Sequence, residues 1–307
     1  MECGWVKLSD MGKPVNTRST AQEPAKGPVD KAMEVLLALV EEGGGPHRLG
    51  DIARRTGLTK PTVHRHLRTM AEYGFAHAAE QGSYRPGPRL LGLAAAALDA
   101  EPGLALARPV LADLRQRTGL LAYYAVPDAG DAVCLALSEP AGHYATGLRP
   151  GGRSPLHCSA AGLAMLAALP TEEAAEALAG PARPAPATPY TLTEPAELRA
   201  ELDRTARRGY AVDDGYGEED TRGVAAVVRA SDGRPVGALA VCGPVFTLDD
   251  AAVEVFGPML RAAARTVSAG LGGPPPRLGV VPAAQRVQAP QAVESVQAVH
   301  ETDGGRA

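Results

Sequence analysis

The 307-residue chain has only four cysteines, Cys3, Cys134, Cys158 and Cys242, and no two of them form a C-x-x-C pair. That scatter excludes a zinc knuckle and a disulfide framework and fits thiols kept reduced. Neither a G-x-S-x-G elbow nor a phosphate-binding P-loop occurs, so catalysis by those routes has no motif behind it. No apolar run is long and uninterrupted enough to cross a bilayer, and MECGWVKLSDMGKPVNTRST at the N-terminus lacks the apolar core of a signal peptide. The expectation is a soluble cytoplasmic protein with no membrane partner. A formal net charge of -4 excludes a protein that coats nucleic acid over its whole surface. The most informative absence is local. From Leu58 to Met70, LTKPTVHRHLRTM carries Lys60, His64, Arg65, His66 and Arg68 and no acid. An ordinary solvated helix interleaves acids with its bases, so this crowding of positive charge points to a polyanion, nucleic acid first.

What is present divides the chain. Its length argues for two domains. Residues 1–28 and 273–307 lack hydrophobic periodicity and read as a disordered leader and tail. Residues 29–87 read as a winged helix-turn-helix. Ala32, Val35, Leu36, Leu39 and Val40 recur at helical spacing until EEGGGP breaks the helix, and LGDIARRTGL gives a second helix with Leu49, Ile52 and Ala53 inward, closed by Gly57. Thr59 fits the N-cap of a third helix over about 60–73, and Pro61 is tolerated in its first turn. Val63, Leu67 and Met70 make its apolar stripe, and the opposite arc shows Thr62, Arg65, Arg68 and Thr69, flanked by His64. A hairpin around Gly82 supplies the wing, with Tyr84 and Arg85 on its return strand.

RLLGLAAAALDAE, within 88–102, reads as a linker helix, a rigid connector or dimer seam ended by Pro102 and Gly103. Residues 103–272 read as a second domain. It opens with a helix burying Leu106, Val110, Leu111 and Leu114, followed by strands LLAYYAV and AVCLALS and a helix from about His157. AELRAELDRTARRGYAV is a helix turning into a strand, a hairpin turns at Asp232-Gly233, and a long helix closes the domain. Hairpin order among strands bracketed by helices implies an α+β fold.

The third helix suits insertion into a DNA major groove, where Arg and Lys neutralise phosphates or fork onto guanine edges. His64 and His66 are two apart and face different sides, so they make no helical metal pair; His66 suits half-buried packing and His64 a phosphate contact. Cys158 and His157 are neighbours that cannot face each other as nucleophile and base, and Cys158 and Cys242 read as small apolar-like residues. Asp213, Asp214, Glu218, Glu219 and Asp220 fall in a presumed loop. They would gate a pocket, order a donor-bearing ligand, take a divalent cation, or form no more than a solvated acidic turn.

VDKAMEVLLALVEE, RLGDIARRTGLTKPTVHRHLRTMAEYGF, GSYRPGPRLLGLA, GGRSPLHCSAAGLAMLA and RRGYAVDDGYGEEDTRGVAA, in that order over Val29 to Gly272, resemble the IclR-type bacterial transcriptional regulators. The resemblance implies a GAF-like effector-binding domain behind the winged helix-turn-helix, dimers or tetramers on a pseudo-palindromic double-stranded DNA operator, and a small-molecule effector; some relatives hold a metal in this domain, but Cys158, Cys242 and His157 make only a weak case for one here, so no cofactor and no metal are expected. The implied activity is ligand-responsive repression; an enzyme with a basic accessory module is the alternative. The DNA-binding candidates are Thr59, Lys60, Thr62, His64, Arg65, Arg68, Thr69, Tyr84 and Arg85. Where the family has Ser and Leu, this chain has Pro61 and His66, which shifts the expected operator contacts.

The resemblance places the effector at the Gly151 to Pro155 loop, including Gly151, Gly152 and Arg153, and at the helix start with His157 and Cys158. It adds Asp213 and the positions of Gly223, Ala240 and Cys242. Small polar residues of relatives are Gly223 and Ala240 here, which implies a larger or less polar ligand than a small carboxylate. Tyr123, Tyr124 and Tyr144 are further lining candidates.

Overall fold

The computed structural model describes residues 26–40, 45–141, 147–178 and 185–272. The expected leader up to residue 25 and the expected tail, with Cys3 and Tyr144, lie outside the described residues.

Three helices, α1 (Pro28–Val40), α2 (Leu49–Thr56) and α3 (Lys60–Glu72), close around Val35, Leu39, Ile52, Val63 and Leu67, all fully buried. Gly57 ends α2 at φ 66°, a left-handed conformation that glycine adopts without a Cβ clash, and the chain re-enters a helix three residues later. Thr59 occupies the N-cap of α3, but its hydroxyl lies 2.9 Å from the Thr62 hydroxyl and bonds no backbone amide of the first turn. The hairpin β2 (Ala76–Ala79) and β3 (Ser83–Pro86) forms the wing. A third strand, β1 (His47–Arg48), pairs with β3. Two residues show no alternation, so that strand has no signature in sequence.

The linker helix α4 (Pro88–Asp99) buries none of its residues within this chain. It meets α5 (Pro102–Thr118) at an 88° bend. Pro102 and Gly103, expected to end a helix, begin the next: proline suits a first turn, and the Glu101 side chain caps the Gly103 amide at 3.3 Å. The buried stripe of α5 is Leu104, Ala107, Leu111 and Leu114; Leu106 flanks it and remains exposed.

Six antiparallel strands follow in spatial order β6-β5-β4-β9-β8-β7: β4 (Leu121–Asp128), β5 (Asp131–Ser138), β6 (Arg153–Pro155), β7 (Ala211–Asp214), β8 (Thr221–Arg229) and β9 (Pro235–Pro244). Helices α5 and α9 (Asp250–Gly270) cover one face. The other lies under α6 (Ala160–Leu166), with α7 (Thr171–Leu178) and α8 (Pro195–Arg208) contributing to the same apolar cluster. The architecture is α+β.

Helix α6 starts three residues later than expected. Leu156–Cys158 form a 3-10 turn, and Ser159 becomes the N-cap, accepting from the Gly162 amide at 3.1 Å. A Cβ at position 162 would strike the Leu156 carbonyl, so glycine is what lets α6 seat on that turn. Asp213 and Asp214, expected in a loop, are the last residues of β7.

Leu67→Ala is expected to destabilise the helix-turn-helix by about 2–5 kcal/mol, because Leu67 is fully buried among all three helices. Urea denaturation of the two proteins measures it; a loss under about 1 kcal/mol would show that this stripe is not the core.

Candidate DNA-binding surface and effector site

Lys60, His64, Arg65, Arg68 and Thr69 are exposed along α3, with Thr62 half-buried beside them. The Thr69 hydroxyl donates to the Arg65 carbonyl at 3.2 Å, leaving its lone pairs outward. Arg68 pairs with Glu72 at 3.2 Å, the acid that ends the acid-free run. Such an exposed pair stabilises by only about 0.3–0.5 kcal/mol and opens readily toward a phosphate. His66 turns inward; burial foremost, then the charges of Arg65 and Lys31, lower its pKa, so the ring is held neutral.

In the wing, opposed residues share a face. Arg48, Ser83 and Ala79 form one rung and Arg85 with His77 another on the same side, whereas Tyr84 falls on the alternate side with His47 and Ala78. The Tyr84 ring packs against the helical core, which corrects the expectation of a free tyrosine on the wing. Arg48 and Arg85 are exposed and flank a shallow groove of about 610 Å³ with Pro46, Glu80 and Gln81. Sequence reasoning missed Arg48 and His77 because the pairing of β1 is not legible locally.

The central sheet assembles the second site. One rung aligns Asp213, Gly223, Cys242 and Leu121; the next aligns Ala211, Ala225, Ala240 and Tyr123. Opposed residues share a face and faces alternate by two, so Asp213, Gly223, Cys242, Ala240 and Tyr123 all look toward α6. Gly223 is needed there: a Cβ would lie 3.1 Å from the Ala160 Cβ and 3.6 Å from that of Asp213. Gly217 passes so close to the chain that its Cβ would stand 2.7 Å from the Cys158 carbonyl.

Asp213 Oδ1 accepts from the Tyr216 amide at 2.8 Å. Burial pushes its carboxyl from the ordinary 3.8 up to about 7; the Tyr216 amide opposes the shift, and the charges of Asp214 and Glu218 reinforce it. Asp213 as a whole residue is half-buried, at the end of β7. Burial, then the Asp213 charge, pushes the thiols of Cys242 and Cys158 to about 12. Both are thiols, not thiolates, at neutral pH, and behave as soft apolar walls. Burial likewise holds the Tyr123 phenol protonated.

Other expected residues go elsewhere. The Arg153 guanidinium sits on Asp128 at 2.6 Å and Asp131 at 2.9 Å, at the far edge of the sheet. His157 is buried with Nε2 3.3 Å from the Ala185 carbonyl. The Gly151 amide donates to the Cys134 carbonyl at 2.7 Å, and the Cys134 amide to the Gly152 carbonyl at 2.9 Å, stitching this loop to β5. Tyr124 is corrected outright: one residue from Tyr123, it faces α5 and α9, fully buried, its hydroxyl without a hydrogen-bond partner. Tyr216, in contact with the α6-side cluster, was missed although it stands in the acidic VDDGYGEED segment.

A cationic helix with a wing, in one chain with a second α+β domain that gathers an acid and thiols on one face of its sheet, is the build of a DNA-binding regulator with a sensory domain. The model for the IclR helix-turn-helix domain matches residues 28–79, and that for the bacterial transcriptional regulator IclR C-terminal region matches 95–269. The chain is 31% identical to the transcriptional repressor IclR of Escherichia coli (strain K12) over 83% of this chain and 94% of that one. It is 30% identical to the acetate operon repressor of Salmonella typhimurium over 78% and 88%. Among solved structures, an IclR homologue from Microbacterium hydrocarbonoxydans complexed with 4-hydroxybenzoate is 29% identical, with TM-score 0.69 over 80% of this chain and 99% of that one. The IclR-type regulator of Alicyclobacillus acidocaldarius is 26% identical, with TM-score 0.70 over 80% and 98%. The chain belongs to the IclR family of ligand-responsive bacterial transcriptional regulators. Among the described residues no single helix is long and apolar enough to cross a membrane, and no three His, Cys, Asp or Glu side chains gather to hold a metal.

The Asp213 carboxyl titrates near 7 in the folded protein and near its ordinary 3.8 when unfolded, so between those values the folded state holds the extra proton. This group therefore makes the fold less stable as pH rises through that window. Asp213→Asn keeps an acceptor for the Tyr216 amide and removes the charge. It is expected to raise stability at pH 8 by on the order of 1 to 4 kcal/mol and to change it little at pH 4. Denaturation curves at both pH values check this; an equal effect at both would contradict the titration.

Proposed function

We propose that the protein is a dimeric, cytoplasmic repressor that places α3 in the major groove of each half of a pseudo-palindromic operator. Arg48 and Arg85 of the wing hold flanking phosphates, and a small effector on the Asp213 face changes operator affinity. The observation that carries this is the exposed cationic face of α3 set on a fully buried Val63–Leu67 stripe. Thr59, Lys60, Thr62, His64, Arg65, Arg68 and Thr69 are the residues that face supplies. The repressor sense is supported by the relatives named as repressors. The effector is bound and not consumed: thiols pushed to about 12 are poor nucleophiles.

A dimer is supported by what α1 and α4 leave uncovered. Val29, Met33, Leu37 and Val40 form an exposed apolar stripe on α1, and Leu91 and Leu93 are exposed on α4, Leu91 at 74%. A two-fold pairing of such stripes would serve an operator whose half-sites lie about 34 Å apart, one turn of DNA. Coupling to the effector is linkage: a ligand that favours one arrangement of the dimer shifts operator affinity by its differential affinity.

The test is a gel-shift titration of the protein on the DNA upstream of its own gene, at two salt concentrations with nonspecific competitor. A discrete complex that weakens steeply with salt is expected. Arg65→Ala should weaken it by about 1–3 kcal/mol, and Arg68→Ala by less, since Arg68 must first leave Glu72. Undiminished binding by the Arg65 variant would remove α3 as the reading helix. Leu91→Glu combined with Leu37→Glu should give monomers in sedimentation and lose the complex; an intact dimer would place the interface elsewhere.

A further inference from the structure

Among the described residues two that are not glycine take a positive φ, Ala129 at 48° and Gln81 at 57°. At Ala129 the surroundings account for it: the turn between β4 and β5 is tied down by the Leu156 amide, which donates to the Gly130 carbonyl at 3.0 Å. Gln81 stands at the tip of the wing, followed by Gly82 at φ 70°. That turn closes on itself, since Ser83 donates its amide and, at 2.6 Å, its hydroxyl to the Glu80 carbonyl. Gln81 is exposed, and a Cβ added at Gly82 would meet nothing within 4 Å, so the tip stands clear of the rest of the chain. A left-handed turn residue is easiest as glycine or asparagine; here a long side-chain amide is held in a conformation the hairpin does not require of glutamine. Backbone outliers of this kind gather at functional positions.

The tip continues a basic surface. Arg48 lies on the rung of Ser83, two residues from Gln81, and Arg85, opposite His77, lies four residues away. Along the strand direction those separations are at most about 7 and 13 Å. Arg48, Arg85 and Gln81 border one groove. Two cations that grip a phosphate backbone leave the next side chain along the hairpin over the groove beside that backbone. With α3 in the major groove, this is the adjoining minor groove, about 6 Å wide, whose A·T pairs present only acceptors and whose negative potential is strongest where it is narrow. The glutamine amide donates two N–H bonds, which suits A N3 and T O2. Resting on the reading of α3 as the major-groove helix, we propose that Gln81 is a base-reading residue. The wing tip enters the minor groove flanking each half-site, and the Gln81 amide donates to A N3 or T O2, giving the operator an A·T preference at pairs that α3 never meets.

The experiment selects bound duplexes from a randomised library with the full chain, then measures affinity for the selected operator with wild type and Gln81→Gly. Glycine adopts the left-handed backbone freely, so the variant keeps the turn, and thermal unfolding confirms that it is folded. In the operator the flanking A·T pairs are replaced by inosine·cytosine, which keeps the A·T pattern of the minor groove while changing the major groove, or by G·C, which adds the guanine amino group. Wild type should select A·T at the flank, accept inosine·cytosine, and lose at least about fivefold in affinity with G·C. Gln81→Gly should bind the selected operator more weakly and bind all three flanks alike. A flank preference that Gln81→Gly retains, or an inosine·cytosine flank that weakens wild type as much as G·C does, would overturn the inference and leave α3 in place. A wild type that selects no sequence at all would overturn the reading of α3 as well.

Discussion

The antiparallel ladder joining β4, β9, β8 and β7 decides which side chains of the second domain meet, and its register is held by unequal faces. Toward α5 and α9 the strands present Val212, Val224, Val228, Leu239, Val241 and Tyr124 with Ala122 and Ala226; toward α6 they present Ala211, Ala225, Ala238, Ala240 and Gly223 with the larger Leu121, Tyr123 and Val227. A slip of one residue would exchange these sets, forcing valines against the closely seated α6 and leaving alanines under two long helices. Both faces are packed cores, the small one allowing α6 to seat closely on the sheet. Asp213 lies on the small face at the end of β7, where burial raises its pKa.

A similar division organises the DNA-binding unit at smaller scale. Helix α3 spends every third or fourth residue on the shared core and leaves the rest to solvent, so rigidity and reach come from one segment. Its cations sit on an element whose position is set by the contacts of Val63, Leu67 and Met70 rather than by charge. The wing repeats the pattern in strands, with Tyr84 inward and Arg85 outward.

Where sequence sufficed, the cause is local. Helical spacing gave α1, α2 and α3 to within a residue or two, Gly57 marked the turn between α2 and α3, and Asp232-Gly233 marked the hairpin between β8 and β9. What was not legible depends on partners distant in sequence. LLAYYAV is apolar throughout, so nothing in it tells which tyrosine faces which helix until β9 is paired with it. Arg153 meets acids 22 and 25 residues away across a strand pairing. The acidic run read as loop because Asp213 and Asp214 are poor strand formers, and β7 exists through its pairing with β8. Of the expected lining, the register brings together Asp213, Gly223, Ala240, Cys242 and Tyr123, whereas Arg153 and Tyr124 are engaged elsewhere.

The alternation that separates Tyr123 from Tyr124 also gives β4 two audiences. Tyr123 looks toward α6, and Tyr124 reaches the elbow where α4 meets α5. There Gly103 and Gly237 leave space for its ring: a Cβ at 237 would stand 2.6 Å from its hydroxyl, and one at 103 would overlap it. The Tyr124 hydroxyl is buried without a partner, while the Glu101 carboxyl beside it has its pKa raised by burial and caps the Gly103 amide. Both polar groups therefore meet at the turn between α4 and α5, beside the two glycines that admit the Tyr124 ring. One strand, β4, thus joins the sheet face under α6 to the elbow from which α4 leads back to the winged helix-turn-helix.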